Sequence, residues 1–401
     1  MNRIEKLIEE LCPNGVEYKP LGEVARIYRG KRFVKADMQE SGIPCIHYGE
    51  IYTKYGTSAT ESISYLSEVR AKSLRFAHPN DVVMATAGET IEDIGKSVAW
   101  LGNEPIVIHD ACYVISGEFD PKFTAYYFNS KAFKDQIRNK ISSSKISSIS
   151  TKNVAKTLFP ILPIRIQEEI SKTLELFEAL EAELEAELEA ELEARKKQYE
   201  FYRDQLLTFT ERERERVRWS PLSDLCFINR GKVISKDYLA AHKGPFPVFS
   251  SQTANAGVFG CIDSYDYDFE SITWTTDGAN AGSVFYHSEA EKFSITNVCG
   301  LLRVKYENQL LTKYLYFYLI VEAKRHVSTG MGNPKLMSTA MKQIQIPIPP
   351  LEEQQRIVNI LDKFDALVND LTSGLPAEIE ARRKQYEYYR DELLTFKELA
   401  A

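Results

Sequence analysis

The sequence has few cysteines, no long apolar run and no leader-like start. Its six cysteines lie far apart and form no CxxC pair, which argues against a zinc cage and against a disulfide framework. No run of about 18 apolar residues occurs, so we expect no transmembrane helix and no membrane partner. The first residues, Met1 to Lys6, lack the apolar core of a signal peptide. These absences predict a cytoplasmic protein whose cysteines are buried or incidental thiols.

The short motifs that would make the chain an enzyme by itself are also missing. There is no GxxxxGK(S/T) phosphate loop, no HExxH zinc motif and no Asp-Pro-Pro-Tyr-like sequence of an amino-methyltransferase. Glu322-Ala323-Lys324 resembles the end of a nuclease carboxylate–lysine signature, but it falls in a predicted helix without a supporting strand. The six histidines are scattered. We therefore expect no catalytic residue, no metal site and no cofactor in this chain.

Acidic charge is concentrated in two parts of the chain. The net charge of the whole chain is −7, which at first disfavours a nucleic-acid partner. Residues 1–158 and residues 211–345 each carry a net charge of +2, whereas residues 159–210 carry −7 and residues 346–401 carry −4. Two slightly basic blocks therefore alternate with two acidic ones, and this distribution says more about partners than the total does.

The two acidic parts are copies of one another. The run ARKKQYEFYRDQLLTF at Ala194–Phe209 matches ARRKQYEYYRDELLTF at Ala381–Phe396, at an offset of 187 residues. A weaker repeat, at an offset of 201, relates Arg29-Gly30-Lys31 to Arg230-Gly231-Lys232. Further upstream positions keep the offset of 187, namely Pro160, Pro163, Gln167, Ile170 and Phe177 with Pro347, Pro350, Gln354, Ile357 and Phe364. Self-similarity of this kind indicates a molecule built from two related halves.

The repeats predict four regions. These are a first variable block (1–158), a central helical repeat (159–210), a second variable block (211–345) and a C-terminal helical repeat (346–401). Both variable blocks have short β-prone runs bounded by turn residues, and each then has a predicted helix rich in aromatics, Phe123–Ile137 and Leu311–His326. The β-prone runs are 43–48, 81–85 and 106–108 in the first block, and 246–249, 271–274 and 298–304 in the second. We expect a small α/β domain twice.

The central repeat predicts one long helix. Apolar residues recur from Ile166 to Phe209 with a mean step close to 3.6, and no glycine or proline interrupts residues 164–209. A helix of about 65–70 Å needs a partner along its length, and the second repeat is the candidate. In that second copy, Thr372-Ser373-Gly374-Leu375-Pro376 predicts a break into two helices. Within the first helix, Leu-Glu-Ala-Glu recurs from Leu180, which fits a solvated helix face, a spacer whose length matters, or both.

Basic residues surround a glycine at the same place in both blocks. Arg29, Lys31 and Arg32 lie around Gly30, and Arg230 and Lys232 flank Gly231. A turn glycine between cations suits close approach to a phosphate backbone, although a solvated loop is the alternative interpretation.

A polar loop follows late in each block, at 142–148 and at 328–335. Its candidate contacts to phosphates and base edges are Ser143 and Lys145 in the first block and Asn333 and Lys335 in the second. A plain linker is the alternative interpretation of both loops.

The alternation of two variable blocks with two helical repeats resembles the specificity subunit of a type I restriction–modification enzyme. The resemblance is carried by Pro160-Ile161-Leu162-Pro163 leading to Gln167, by Pro347-Ile348-Pro349-Pro350 leading to Gln354, and by the two copies of (R/K)KQYE(F/Y)YRD. It covers nearly the whole chain. The helical motifs are specific, whereas the variable blocks are expected to diverge.

The resemblance implies an α+β fold in which two α/β target-recognition domains are separated by two long helical repeats. The repeats are expected to pack as an antiparallel coiled coil, and the molecule to have pseudo-twofold internal symmetry. Such symmetry would bring Phe396 near the segment Leu7–Val16. Each target-recognition domain would read one half of an asymmetric, bipartite site in double-stranded DNA.

The resemblance also implies partners that carry the chemistry. Two modification subunits, which bind S-adenosylmethionine and methylate adenine, would dock on the helical repeats. Restriction subunits would add ATP- and Mg-dependent translocation and cleavage, so all these cofactors belong to the partners. The residues that we assign to partner binding are Tyr199, Tyr202 and Arg203 in the first repeat and Tyr386, Tyr389 and Arg390 in the second.

Two other classes of protein are retained as alternatives. A stand-alone DNA-modifying enzyme is disfavoured by the missing motifs, and an activity assay on the isolated chain would test it. A purely structural coiled-coil scaffold is disfavoured by the two non-helical blocks with their repeated basic turns. Weak, salt-sensitive DNA binding by a block would exclude that scaffold.

The four-residue repeat of the central helix is predicted to act as a ruler between the two half-sites. Deletion of Leu184–Glu187 removes about 6 Å of helix and about 400° of rotation, which is a net turn of about 40°. One base pair of B-DNA turns about 34–36°, so both half-sites should stay unchanged while the gap between them shortens by one base pair. Deleting two residues instead turns the helix by about 200° and should abolish specific binding. A methylation map of each variant measures this, and an unchanged gap or altered half-site bases would contradict it.

Overall fold

The computed structural model describes residues 3–142, 147–209, 215, 217–329, 332–369 and 374–399, and in it the predicted long helix is unbroken. The chain divides into two units, of which unit 1 is Met1–Ala186 with Glu380–Ala401 and unit 2 is Glu187–Ile379. Each unit therefore holds one variable block with parts of both helical repeats. The four-region boundaries drawn from the sequence repeats stay a prediction.

The described helices have the following bounds. In chain order they are α1 (Arg3–Leu11), α2 (Leu21–Val24), α3 (Tyr48–Thr53), α4 (Glu68–Ala71), α5 (Pro121–Asn129), α6 (Lys131–Arg138), α7 (Thr151–Ala155), α8 (Ile164–Leu207), α9 (Leu222–Leu225), α10 (Lys236–Ala241), α11 (Thr312–Arg325), α12 (Ser338–Gln343), α13 (Leu351–Asn369) and α14 (Leu375–Leu393).

The described strands likewise follow in chain order. They are β1 (Glu17–Pro20), β2 (Ala25–Arg29), β3 (Met38–Gln39), β4 (Ile43–Ile46), β5 (Ser58–Ala59), β6 (Ser64–Leu66), β7 (Phe76–Ala77), β8 (Val82–Ala85), β9 (Ala87–Gly88), β10 (Ser97–Trp100), β11 (Ile106–Ile108), β12 (Cys112–Gly117), β13 (Ser147–Ser148), β14 (Leu158–Ile161), β15 (Arg218–Pro221), β16 (Cys226–Arg230), β17 (Phe246–Phe249), β18 (Val258–Ile262), β19 (Ser271–Thr275), β20 (Val284–His287), β21 (Ser294–Ile295), β22 (Cys299–Val304) and β23 (Gln345–Ile348).

Unit 1 is built on two five-stranded sheets, with strand orders β2-β12-β8-β10-β5 and β3-β6-β4-β11-β7. Successive side chains of a strand point to opposite faces, and β8 shows the consequence. Val82 and Met84 belong to the core that includes the aromatic helices α5 and α6, whereas Val83 and Ala85 belong to a second core. Because both faces of β8 are covered, its sequence is a continuous apolar run, as the sequence analysis expected.

Unit 2 repeats this plan with fewer strands. Its sheets have the orders β16-β22-β19-β20 and β18-β17-β21, and the short pair β15-β23 corresponds to β1-β14 of unit 1. The aromatic helix α11 lies against β20 and α13. Trp274, Tyr314 and Phe317 are fully buried in its core. The expectation of a small α/β domain twice is confirmed.

The helices of the two repeats have nearly the extents that the sequence pattern predicted. Helix α8 spans 44 residues, close to the predicted extent. In the second copy, helix α13 ends at Asn369 and α14 begins at Leu375, which confirms a break there; residues 370–373 lie outside the described residues. No described helix is both long enough and apolar enough to cross a membrane.

One helix prediction was wrong. The span Phe123–Ile137 forms the two helices α5 and α6 rather than one. The Ser130 hydroxyl accepts a hydrogen bond from the Phe133 N–H and caps α6, while the backbone of Ser130 is extended. Serine at this position therefore ends one helix and starts the next.

The two chain ends of unit 1 meet. The Val16 N–H donates to the Lys397 carbonyl at 2.8 Å, and the Leu399 N–H donates to the Val16 carbonyl at 2.9 Å. The ring centroid of Phe396 lies 6.3 Å from that of Phe123, within the unit 1 core. The prediction that Phe396 lies near Leu7–Val16 is confirmed.

A buried glutamine joins each block to the helical repeat that follows it. In unit 2 the Gln354 Oε1 accepts from the Leu311 N–H, and its Nε2 donates to the carbonyls of Gln309 and Pro349. In unit 1 the aligned Gln167 Oε1 accepts from the Asp120 N–H, and its Nε2 donates to the Leu162 carbonyl. These bonds explain why glutamine recurs at the offset of 187.

Replacing Gln354 with Met should lower the stability of unit 2 by about 2–3 kcal/mol, because the Leu311 N–H and two carbonyls would lose their partner in a buried place. The matched control is Gln355→Met, since the neighbouring Gln355 is exposed. Urea unfolding followed by tryptophan fluorescence measures both variants. Equal midpoints for the two variants would contradict this role of Gln354.

Candidate nucleic-acid interface

The two predicted basic turns have the same backbone contacts. In unit 1 the Gly30 N–H donates to the Cys112 carbonyl at 3.1 Å. In unit 2 the Gly231 N–H donates to the Cys299 carbonyl at 3.3 Å. The two glycines are related by an offset of 201 and the two cysteines by an offset of 187. This hydrogen bond therefore links a residue of the weaker repeat to a residue at the offset of the stronger repeat in both units.

The glycines of these turns are needed inside the fold. A Cβ atom on Gly30 would overlap the carbonyl oxygens of Ile108 and His109, and one on Gly231 would overlap that of Ile295. Neither glycine has a positive φ angle. The protein's own backbone therefore explains the need for glycine at these two turns, and contact of the turns with phosphates stays a prediction.

The cations of the turns are exposed, and several have partners in their own unit. Arg29 lies 3.6 Å from the Asp110 carboxylate, and Lys31 donates to the Ser73 carbonyl at 2.8 Å. The Lys232 ammonium donates to Asp266 at 2.7 Å, and this hydrogen bond raises the pKa of Lys232. Part of the positive field of these cations is therefore neutralised locally.

In unit 2, one carboxylate lies between the late polar loop and the basic turn and is close to a cation of each. The Asp277 carboxylate lies 3.7 Å from the Lys335 ammonium and 3.9 Å from the Arg230 guanidinium. Asn333, also predicted to contact DNA, is exposed in the same loop. Ser328 and Lys335 exchange backbone hydrogen bonds, so the loop closes on itself and is not a plain linker.

The late polar loop of unit 1 closes in the same way. Ser142 and Ser148 exchange backbone hydrogen bonds of 2.9 and 3.1 Å, and Ser147 pairs with Gly88. Ser143 and Lys145, both predicted to contact DNA, lie outside the described residues. Arg32 is exposed beside the basic turn.

A third element converges on the same place, and sequence reasoning missed it. It is the loop that follows β8 in unit 1 (Thr86–Gly95) and β19 in unit 2 (Thr276–Gly282). The Gly95 N–H donates to the Ala85 carbonyl at 2.8 Å, and the Gly282 N–H donates to the Thr275 carbonyl at 2.9 Å. Gly95 and Gly282 have φ angles of 88° and 82°. Their recurrence at the offset of 187 was the signal that could have revealed this loop.

In unit 1 this loop forms one wall of a cavity of about 760 Å³. Helix α3, with Tyr48 and Tyr52, forms another wall, and Lys35 lies at the edge next to the basic turn. The ring of His47 lies 4.6 Å from Tyr48 and 4.4 Å from His109. The cavity is therefore lined by aromatic rings and bordered by charge, a combination suited to a polar, planar ligand.

His47 is held neutral in this wall. Burial, and then the nearby His109 and Lys35, lower the pKa of His47 to about 4. Its Nδ1 accepts from the Gly49 N–H at 3.2 Å, which caps α3 and leaves the proton on Nε2. Among the described residues no group of three or more His, Cys, Asp or Glu is arranged to hold a metal ion.

The residues predicted to bind partners are not equally available. Tyr199 is 7% exposed and packs in the core of unit 2, so its ring cannot contact a partner while that core is intact. Tyr202 and Tyr389 are 38% and 47% exposed. Arg203 lies over the Tyr199 ring, and Tyr386 and Arg390 are half-buried.

Two aromatic residues that sequence reasoning missed are more exposed than the predicted ones. Phe201 is 63% exposed and Tyr388 is 59% exposed, and the two are aligned at the offset of 187. Each contacts its neighbour edge-on, with 5.5 Å between ring centroids in both Phe201–Tyr202 and Tyr388–Tyr389. Exposed aromatic pairs of this kind mark interaction surfaces.

Comparison with known proteins gives a consistent result. Residues 13–194 and 215–381 match the family model described as the type I restriction modification DNA specificity domain. The type I restriction enzyme specificity subunit S.HindORF215P of Haemophilus influenzae is 32% identical to this chain over 416 residues. The match covers 98% of both chains. The type I restriction enzyme MpnII specificity subunit of Mycoplasma pneumoniae is 42% identical over 212 residues, covering 50% of this chain and 62% of that protein.

One solved structure has a similar fold along nearly the whole chain. It belongs to a study of the assembly and conformational transition of the type I R-M system, and it covers 95% of this chain and 98% of its own. Its TM-score is 0.63 and its sequence identity is 18%.

The neutral His47 predicts that unit 1 loses stability as the pH falls from 6.5 to 4. In this range the unfolded chain binds a proton that the folded form does not accept, since its pKa is about 4. At pH 5 the loss is about 2 kcal/mol. His47→Asn keeps an acceptor for the Gly49 N–H but does not titrate, so its stability should fall less between pH 7 and pH 5. Urea unfolding at both pH values measures the difference, and parallel pH profiles would contradict it.

Proposed function

Because the chain belongs to the family of type I restriction–modification specificity subunits, we propose that it reads a bipartite, asymmetric site in double-stranded DNA, one half with each unit. The family recognises DNA in a sequence-specific way, and catalysis is not its function. The single observation that carries the proposal is that both units hold the same three elements together while the tips of their loops differ. These elements are the basic turn, the loop after β8 or β19, and the late polar loop, and equivalent backbone hydrogen bonds join them in both units. We call the three elements of each unit its frame.

The frame fits the division of labour in DNA recognition. Phosphate contacts position a protein on the duplex, and contacts to base edges specify the sequence. Arg29 and Lys31 of unit 1, and Arg230 and Lys232 of unit 2, belong to the constant part of the frame and suit phosphates. The loops differ between the units in length and chemistry, and they suit bases.

Other subunits of the restriction–modification system complete the assembly. We assign the docking of two modification subunits to the exposed pairs Phe201–Tyr202 and Tyr388–Tyr389, which occupy aligned positions. The modification subunits would supply S-adenosylmethionine, and restriction subunits would supply ATP and Mg²⁺. The aligned Phe201 and Tyr388 support equal docking of two identical partners.

The helical repeats are proposed to pack as an antiparallel coiled coil in a pseudo-twofold molecule. Contacts within each unit support this arrangement. In unit 1 the Arg383 guanidinium donates to the Glu185 carboxylate at 2.6 Å, and in unit 2 the ring of Tyr202 stacks on Phe364 with 5.6 Å between centroids.

Among the described residues, a chain of hydrogen bonds that resembles a catalytic triad gives little support to the alternative of a stand-alone enzyme. The Thr273 hydroxyl lies 2.9 Å from His287 Nε2, and His287 Nδ1 lies 2.8 Å from the Glu291 carboxylate. Thr273 and His287 are fully buried, however, and the rings of Phe249 and Phe293 lie within 4.5 Å of the imidazole centroid. No substrate can reach this hydroxyl, so the chain of bonds is structural.

Replacing Lys31 or Lys232 with Ala should weaken DNA binding on all sequences and leave sequence preference intact. Each lysine that neutralises one phosphate contributes about one unit to the slope of log affinity against log salt. The matched control is Lys6→Ala, since Lys6 is exposed on α1.

The measurement is a salt titration of DNA binding by the chain assembled with its modification subunits. Unchanged affinity and slope for both variants would show that the DNA face lies elsewhere. A wild-type assembly without sequence preference would contradict the proposed function itself.

A further inference from the structure

The loop after β8 in unit 1 and the loop after β19 in unit 2 differ in length although their two ends have the same hydrogen bonds. Six residues separate Gly88 from Gly95 in unit 1, whereas three separate Gly278 from Gly282 in unit 2. The ends are held by equivalent bonds, since the Thr86 N–H donates to Ala111 and the Thr276 N–H to Val298. A constant base with a variable tip is the arrangement expected of a loop that determines specificity.

The longer loop of unit 1 is fixed by side chains that donate hydrogen bonds to its backbone carbonyls. The Tyr52 hydroxyl donates to the Ala87 carbonyl at 2.7 Å, and the Lys134 ammonium donates to the carbonyls of Glu92 and Ile94 at 3.0 and 2.7 Å. Burial of the Lys134 ammonium in this place lowers its pKa to about 8. The loop is therefore preorganised, and its tip can present side chains at fixed positions.

The loop tip also lies beside the other predicted DNA contacts of unit 1. Gly88, at the base of the tip, pairs with Ser147 of the late polar loop. Gly88 and Glu89 line the same cavity as Lys35, which follows the basic turn. A DNA duplex that reaches the basic turn and the polar loop thus also meets the tip.

Glu89 at this tip has no charged partner among the residues that the structure describes. It is exposed, and within the described chain its carboxylate makes no ion pair and no hydrogen bond. Two nearby carboxylates are engaged, Asp93 with the Thr90 hydroxyl and Asp110 with Arg29. Glu92, on the same loop, also lacks a side-chain partner among the described residues, but unlike Glu89 it does not line the cavity that holds Lys35. Next to phosphates a free carboxylate is repelled, unless it accepts a hydrogen bond from the exocyclic amine of a base.

We propose that the loop Thr86–Gly95 is the base-reading loop of unit 1, and that Glu89 selects a base with an exocyclic amino group in the major groove. Such a base is cytosine, through N4, or adenine, through N6. The aligned position in unit 2 is Ala279, which offers no acceptor, so the two half-sites are read by different chemistry. This inference rests on the proposed function.

The test uses the full chain assembled with its modification subunits and a methylation map of a randomised DNA library. With Glu89→Ala, discrimination at one base position of one half-site should fall by about 5- to 150-fold, and the other half-site should stay unchanged. With Glu89→Gln, preference at that position should shift towards adenine, because the amide accepts from N6 and donates to N7. The matched control is Glu118→Ala, an exposed glutamate just after Gly117, at the far end of β12 from the basic turn.

The outcomes separate this inference from the proposed function. A wild-type bipartite motif that both Glu89 variants reproduce unchanged would overturn the role of Glu89 and leave the proposed function standing. A uniform gain or loss of affinity on every sequence would likewise overturn it, since a reading residue acts at one position. A wild-type assembly that methylates without a motif would overturn both.

Discussion

A buried glutamine at the start of each helical repeat is the interaction on which the rest of each unit depends. Gln354 accepts from the N–H of Leu311, the residue just before the aromatic helix α11, and donates to two carbonyls nearby; its side chain is fully buried. An N–H group left unpaired there would cost about 1–3 kcal/mol, so the position tolerates little but glutamine. Through this side chain, the variable block and the helical repeat share one rigid junction.

A rigid junction allows the block above it to diverge. The second core layer of unit 1 contains Val83, which pairs with Val114, whereas at the corresponding place in unit 2 Thr273 pairs with Leu301. Thr273 is buried and its hydroxyl is hydrogen-bonded to the buried His287, so the corresponding core layer of unit 2 is partly polar. The two blocks therefore keep backbone register and not core composition. What is maintained is the set of strand pairings that carry the loops to the same edge.

Sequence reasoning predicted the parts of this molecule that repeat or have a clear period. The long helix α8, the break before α14, the main strands and the meeting of Phe396 with the first block all followed from periodicity and offset. Two features escaped it for physical reasons. Tyr199 looked like its exposed neighbour Tyr202, because only tertiary packing decides which face of a solvated helix is covered. The loop at 86–95 has no motif, and its role depends on Gly95 adopting a backbone conformation that pattern alone does not reveal.

The charges of the frame point to how affinity and specificity are divided. Arg29, Lys232 and Lys335 each lie next to a carboxylate of their own unit, so the cationic field around each side chain is weakened. A specificity subunit gains from this, because strong phosphate binding would raise affinity for every sequence alike. In the function proposed above, discrimination would depend on short loops held at fixed positions, and non-specific affinity would come from partner subunits. The excess of acidic residues in the helical repeats fits the same division, since acidic segments are unsuited to contact with phosphates.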